Sequence, residues 1–486
     1  MNSPSQITSS DTIIPFHFWD DVPHTRAIGL NVTLRFDKLL DPEKLRNSLT
    51  RLLEIDNWRK LGARLRLDNS GKLVYHLPPK FTKERPGFIL TTEAHDGSIK
   101  AHPLASQMPS TQETPKVNVL DGMSKYSPLV RHKTAPASIA DWLGTDIPQL
   151  VIHTVLFHDA TLLTITFQHT LMDAMGLSSF LHAWTAVLSK RDVPPFLGFD
   201  EDIIEAHLET TTEKTMAGIL FGQISLLLIA LVGWWEKFWF PRVEDRVLCI
   251  PGEYVRELRD KTLRELDGKT SKDQDRPFVS ESDILLAWLA TLLVTAHNPN
   301  PNTPVQISNI FDIRSILALP SPGVYIGNAI MPSCAEFHAH EFGVLDHSPD
   351  LDYQLGPVAL KIRHALETQR TKEQVLARTA LRKKMLREMG CLPLVGHPGQ
   401  LGISCTNWHR AGFFGVDFGG AVVGGQEEGF IPCRPSYVNT AGPEPLDGNG
   451  PRNMVTVTGK DGMGNWWVQI IAREEVLGKI REWTRM

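Results

Sequence analysis

The chain is predicted to be a two-domain protein of mixed α/β (α+β) class, on three observations. Strand-like alternating runs and amphipathic helical patterns are interleaved in both halves of the sequence. At 486 residues the chain exceeds what one hydrophobic core usually supports. A stretch around 190 to 245, opening on Asp192-Val193-Pro194-Pro195, separates the two mixtures. The expected division is residues 1–190, a linker at 191–245, and residues 246–486.

The elements follow in order. Gly29 to Phe36 reads as a strand. Asp41 then stands as an N-cap with Pro42 at the first helical position, ahead of Leu45, Leu49, Leu52 and Leu53 at helical spacing, so a helix is expected over 42–56. Strand-like runs follow at 62–67 and 72–76, whereas 97–148, rich in Pro, Ser and Thr, reads as irregular. Leu150–Phe157 and Thr161–Gln168, joined around His158-Asp159-Ala160, form a β-hairpin pattern. Leu177 to Leu188 is an amphipathic helix. The second half predicts helices at 253–266, 282–295 and 474–483, and strands at 305–313, 401–406, 454–457 and 466–472.

Composition narrows the function. The chain is 42% hydrophobic and 22% charged, as in an ordinary globular protein. A net charge of −5 predicts no nucleic-acid partner. The five cysteines (Cys249, Cys334, Cys391, Cys405, Cys433) form no Cys-x-x-Cys pair, which argues against a disulfide framework or a structural zinc site. The first residues lack a basic region followed by an apolar core, so a reducing, cytoplasmic compartment is expected. From Met216 to Trp235 only Gln223 and Ser225 are clearly polar, and Trp234, Trp235, Lys237, Trp239 and Arg242 lie at its end like an interfacial belt. The expectation is a buried helix or one touching a membrane peripherally through 216–240, not a span.

His169 is the leading candidate for chemistry. The alternating run Thr161 to Gln168 ends on it, Asp173 follows four residues later, and then Gly176 and a helix. An imidazole at a strand end suits a general base for an alcohol, because its ordinary pKa of ~6.5 leaves much of it neutral. The alternative is a core histidine bonded to a backbone carbonyl. A metal-ligand reading is disfavoured, since no further ligand lies at a suitable spacing. Asp173 could orient the ring, as in a triad, or hold its loop by pairing with an arginine. Gly176 reads as a position with little room for a side chain. A second His-x-x-x-Asp, His17 to Asp21, lacks this frame and is expected to be structural.

Two more stretches stand out: Phe311-Asp312-Ile313-Arg314 with Tyr325-Ile326-Gly327-Asn328-Ala329, and Ile403 to Arg410 followed by Val416-Asp417-Phe418-Gly419-Gly420. Asp417-Phe418-Gly419 is not a kinase metal loop, because no Gly-rich phosphate loop or His-Arg-Asp motif precedes it.

Together these motifs resemble those of the BAHD acyltransferases, in particular the fungal branch that decorates secondary metabolites. His169 to Asp173 match the family's His-x-x-x-Asp, Arg314 to Ala329 its arginine and Gly-Asn stretch, and Asp417-Phe418-Gly419 the start of its Asp-Phe-Gly-Trp-Gly. The sequence departs at Gly420 and Ala421, where the family has tryptophan and glycine. The resemblance covers about Ile14 to the last helix. It implies two chloramphenicol acetyltransferase-like domains with a channel between them, and acyl-coenzyme A, acetyl by default, as co-substrate. No metal and no tightly bound cofactor are implied, and the acceptor would be a small-molecule alcohol taken by a monomer. It implies His169 as base, Asp173 paired with Arg314 away from the ring, Thr406 and Trp408 as oxyanion donors, and Gly176, Arg314, Asp417, Phe418 and Gly419 as support. A condensation-type enzyme with a carrier-bound donor and a catalytically idle binding protein are the competing readings.

Overall fold

The computed structural model describes residues 10–111, 113–208, 211–216, 223–267, 278–343, 355–424, 431–442 and 451–485. Two large sheets organise it. The first holds five strands in the spatial order Tyr437–Ala441, Gly29–Phe36, Thr161–Gln168, Val151–Leu156 and Ile89–Ala94. The second holds seven, in the order Ile330–His338, Pro304–Asp312, Leu401–Asn407, Met454–Lys460, Trp466–Arg473, Val243–Ile250 and Asn118–Asp121. Each sheet therefore borrows one edge strand from the opposite half of the chain. Tyr437–Ala441 pairs with Gly29–Phe36, and Asn118–Asp121 pairs with Val243–Ile250.

The hairpin expected at 150–168 forms as Val151–Leu156 against Thr161–Gln168. Every residue of Thr161–Gln168 is buried. Its threonines survive burial because each hydroxyl finds a partner: Thr164 meets Thr33 at 3.0 Å, and Thr166 donates to Asn31 at 2.6 Å. Asp41 caps its helix as the sequence predicts, accepting from Glu43 N at 2.8 Å and Lys44 N at 3.2 Å. That helix stops at Leu52, four residues short of the expected end. The apolar helix Glu281–His297 is buried almost all round, because it lies against Gly252–Asp267, Leu355–Gln369 and Glu474–Arg485.

Two expectations are corrected and a third is narrowed. The stretch 97–148 is not irregular throughout: it supplies Asn118–Asp121 and the short helix Ile139–Leu143. The helix after the hairpin begins at Ala174, one turn before Leu177, because Asp173 caps it. The apolar linker helix, Gln223–Trp239, is not buried: Trp234 is 63% exposed and Phe238 64%. Residues 217–222 of the same apolar run lie outside the described residues. Among the described residues no helix is long and apolar enough to cross a membrane.

Candidate active site

His169 follows directly on Thr161–Gln168, and its backbone is held at both ends. Its N–H donates to Ile28 O at 2.8 Å, and its carbonyl accepts from Asn328 Nδ2 at 2.8 Å. The ring is half-buried, and Nδ1 is buried with no hydrogen-bond partner. Burial pushes the imidazole below the ordinary histidine pKa; its own backbone carbonyl, Asp173 and Asn328 act the other way and do not overcome it. The ring is therefore biased toward the neutral form that a base needs.

Asp173 turns to Arg314, as the resemblance implies. Arg314 Nη2 donates to Asp173 Oδ1 at 2.9 Å, and the carboxylate also accepts from Gly176 N and Ala329 N, both at 2.9 Å. Arg314 is held further: Nη1 reaches Asp312 at 2.5 Å, Nε reaches Tyr325 O at 3.0 Å, and Nη2 reaches Gly327 O at 2.6 Å. The pair thus ties the His169 loop to the 312–329 segment of the second half. Gly176 is obligatory here, since a Cβ would fall 1.8 Å from Ile326 O.

Thr406 lies at the end of Leu401–Asn407, half-buried. Trp408 donates its indole N–H to Thr406 Oγ1 at 3.0 Å. This refines the expectation of two donors: the indole hydrogen is already used, and the threonine hydroxyl keeps its own. Trp408 packs on the core cluster that contains Leu171 and Met172, and Ser178 donates to Ala411 O at 2.6 Å. The segment after Thr406 thus crosses to the half that carries His169.

Asp417, Phe418 and Gly419 stand apart from these contacts. Asp417 Oδ1 accepts from Gly419 N and Cys433 N, both at 2.8 Å. Phe418 is fully buried against Phe36 and Trp184. Gly420, where the family carries tryptophan, has no space for a side chain, as a Cβ would lie 2.6 Å from Leu188 O. In the second His-x-x-x-Asp, Asp21 binds Arg26 at 2.5 Å and His17 is buried.

Two features escape sequence reasoning. Asp20 Oδ1 accepts from Asn328 N at 2.6 Å and Nδ2 at 2.9 Å, extending the support of the His169 carbonyl to the N-terminal segment. Burial pushes the Asp20 carboxyl up to about 7. A cavity of about 510 Å³ is lined by His24, Ser308, Ile310, Val232, Arg378 and Arg382, among others. Ile310 is in register with Thr406, and Ser308 with Ser404, so Thr406 points to the cavity side of the sheet. His24 lies close enough to His169 for charge on one to disfavour charge on the other. His24 is the lining residue that neighbours His169; His169 and Thr406 themselves are not among the residues that line the cavity. Only the Gly-Asn stretch hinted at Asn328; nothing in the sequence singled out Asp20 or His24.

The site thus sets an imidazole at the end of a strand, in one of two sheets that exchange edge strands. No family model matches the chain. The chain is 37% identical to Acetyltransferase adrJ of Penicillium rubens, over 99% of this chain and 97% of that one. It is also 33% identical to Transcriptional regulator calD of Penicillium decumbens, over 97% and 95%. Other relatives at similar identity are named acetyltransferase or O-acyltransferase. Fusarium sporotrichioides TRI101, solved with coenzyme A and T-2, shares the fold with a TM-score of 0.66 at 15% identity, over 97% of this chain and 98% of that one. The chain belongs to the BAHD acyltransferase family, in its fungal branch. Its two-domain fold is of the chloramphenicol acetyltransferase type.

Proposed function

We propose that this acyltransferase moves an acyl group, acetyl by default, from acyl-coenzyme A to a hydroxyl of a terpenoid, alkaloid or polyketide alcohol. His169 takes the hydroxyl proton, and the alkoxide attacks the thioester carbonyl. The tetrahedral oxyanion then collapses, the C–S bond breaks, and the imidazolium returns the proton to the leaving thiolate. The Thr406 hydroxyl donates to the oxyanion, and Trp408 fixes that hydroxyl from behind. Asp173 and Arg314 position the loop and take no part in proton transfer. The observation that carries this reading is His169 itself: held at backbone N and O, half-buried, and shifted toward its neutral form.

We further propose the division 1–190, 191–245 and 246–486, with one strand exchanged each way, and a cytoplasmic monomer. The exposed aromatic side of Gln223–Trp239 supports a peripheral membrane contact through 216–240. The name carried by calD supports a second reading, an idle binding protein on the same fold. One experiment separates the two. Incubation with acetyl-coenzyme A and a panel of alcohols of the three classes, read by mass spectrometry, should yield an added acetyl mass that disappears in His169→Ala. No acetyl product from any alcohol would favour the binding protein.

A further inference from the structure

The helix Lys372–Met389 places two arginines, Arg378 and Arg382, one turn apart on the cavity wall. Both are buried, at 8% and 9% exposure. Arg378 donates to Pro332 O and, at 3.3 Å, to Gln369 Oε1. Arg382 lies 4.4 Å over the Trp19 ring and reaches Ile330 O only at 3.5 Å. Among the described residues neither has a carboxylate partner. Among the described residues the one carboxylate lining the cavity, Glu236, is held by Arg473 at 2.7 Å and Arg452 at 3.4 Å.

A buried guanidinium without a counter-ion is costly, and arginine does not escape the cost by losing its proton. Burial and the neighbouring Arg378 push Arg382 down to about 10, which still leaves it charged at neutral pH. Arg314 shows the ordinary solution in the same protein, with Asp173 and Asp312 beside it. Two such cations side by side also repel each other. An anion bridging the forks would supply the missing charge and accept two-pronged hydrogen bonds. The rest of the wall is largely apolar, with Ile310, Val232 and Leu381 among its residues.

We propose that Arg378 and Arg382 form an anion-recognition site, and that the acceptor is a lipophilic hydroxy acid. Its carboxylate binds the two guanidiniums, its apolar body fills the cavity, and its hydroxyl reaches toward His169. This rests on the reading of the cavity as the acceptor side of the proposed transfer. Coenzyme A offers the same chemistry through its phosphates, so the test has an arm for each source.

Binding of lithocholate and oleanolate, two polycyclic hydroxy acids, is measured by calorimetry beside their methyl esters, and coenzyme A beside dephospho-coenzyme A. The wild-type protein should bind at least one acid about tenfold or more tightly than its ester. Arg382→Met and Arg378→Met should erase that preference, raise the melting temperature of the unliganded protein, and leave coenzyme A affinity unchanged. The wild-type comparison needs no variant to fold. If no acid binds better than its ester, the proposal falls. If Arg382→Met weakens coenzyme A but not dephospho-coenzyme A, the site belongs to the donor phosphate and the proposal also falls. Acetylation of neutral alcohols is scored separately: its absence beside a retained acid preference would overturn the transfer reading alone.

Discussion

The loop that carries His169 and the linker helix Gln223–Trp239 are held in opposite ways. The loop is fixed by directional bonds from three parts of the chain. Ile28 and Asn328 hold the His169 backbone, and Asp173 gathers Arg314, Gly176 and Ala329. The helix presents Leu231, Trp234, Trp235, Phe238 and Trp239 to the outside, and Arg452 and Arg473 converge on one of its side chains, Glu236. Groups that must meet a reacting atom within a fraction of an ångström are over-determined. The linker helix lines the cavity through Ile229, Val232 and Glu236 and carries its aromatic residues on the exposed side.

The contrast can be broken at several points, beginning with the largest effect. His169→Ala should cut turnover about 10²–10⁴-fold while the melting temperature barely moves. Steady-state acetyl transfer checks this, and near-normal turnover would remove the histidine from the chemistry. Asp173→Ala should cost about 3–5 kcal/mol in urea unfolding, nearer the lower figure because Arg314 keeps Asp312. A loss no greater than that of a surface pair would mean that the loop is not over-determined. Thr406→Val should lower turnover about 10²-fold with little change in acetyl-coenzyme A affinity; a change confined to KM would assign the hydroxyl to binding.

The pH dependence sharpens the same comparison. The His169 pKa lies below its ordinary value, so the neutral base persists as pH falls through about 6.5, where a free histidine is half protonated. The acidic limb of kcat/KM should therefore fall below that pH. A midpoint at or above it would show that burial does not control the ring. The smallest effects belong to the helix. Glu236→Gln should cost about 1.5–3 kcal/mol, since it weakens the charged hydrogen bonds of Arg452 and Arg473. Trp235→Ser with Trp239→Ser should leave stability within about 0.5 kcal/mol, yet reduce cosedimentation with anionic vesicles. A large stability loss from the tryptophans would mean that the helix is part of the core after all.

What could be read from the sequence was local. The Thr161–Gln168 strand, the Asp41 cap and the Glu281–His297 helix follow from spacing and from the residue types at their ends. The strand Asn118–Asp121 did not, because four half-buried residues become a strand only when Val243–Ile250 arrives from far along the chain. Ile330–His338 was hidden by Pro332, which weakens a strand pattern. Composition alone leaves the linker helix between burial and a peripheral contact, because it says what a helix prefers to touch, not what is beside it. Arg378 and Arg382 sit among Lys383, Lys384 and Arg387, where charge reads as a solvated face. The handover of the Trp408 hydrogen to Thr406 depends on side-chain directions that spacing does not carry.

The exchange of edge strands sets a condition on synthesis. Gly29–Phe36 leaves the ribosome early, but the strand that closes its outer edge, Tyr437–Ala441, emerges only after most of the protein has been made. Until then that edge displays unpaired backbone groups able to recruit any extended segment nearby. The first sheet cannot be completed vectorially, and a nascent chain stalled before residue 437 is a ready client for a chaperone.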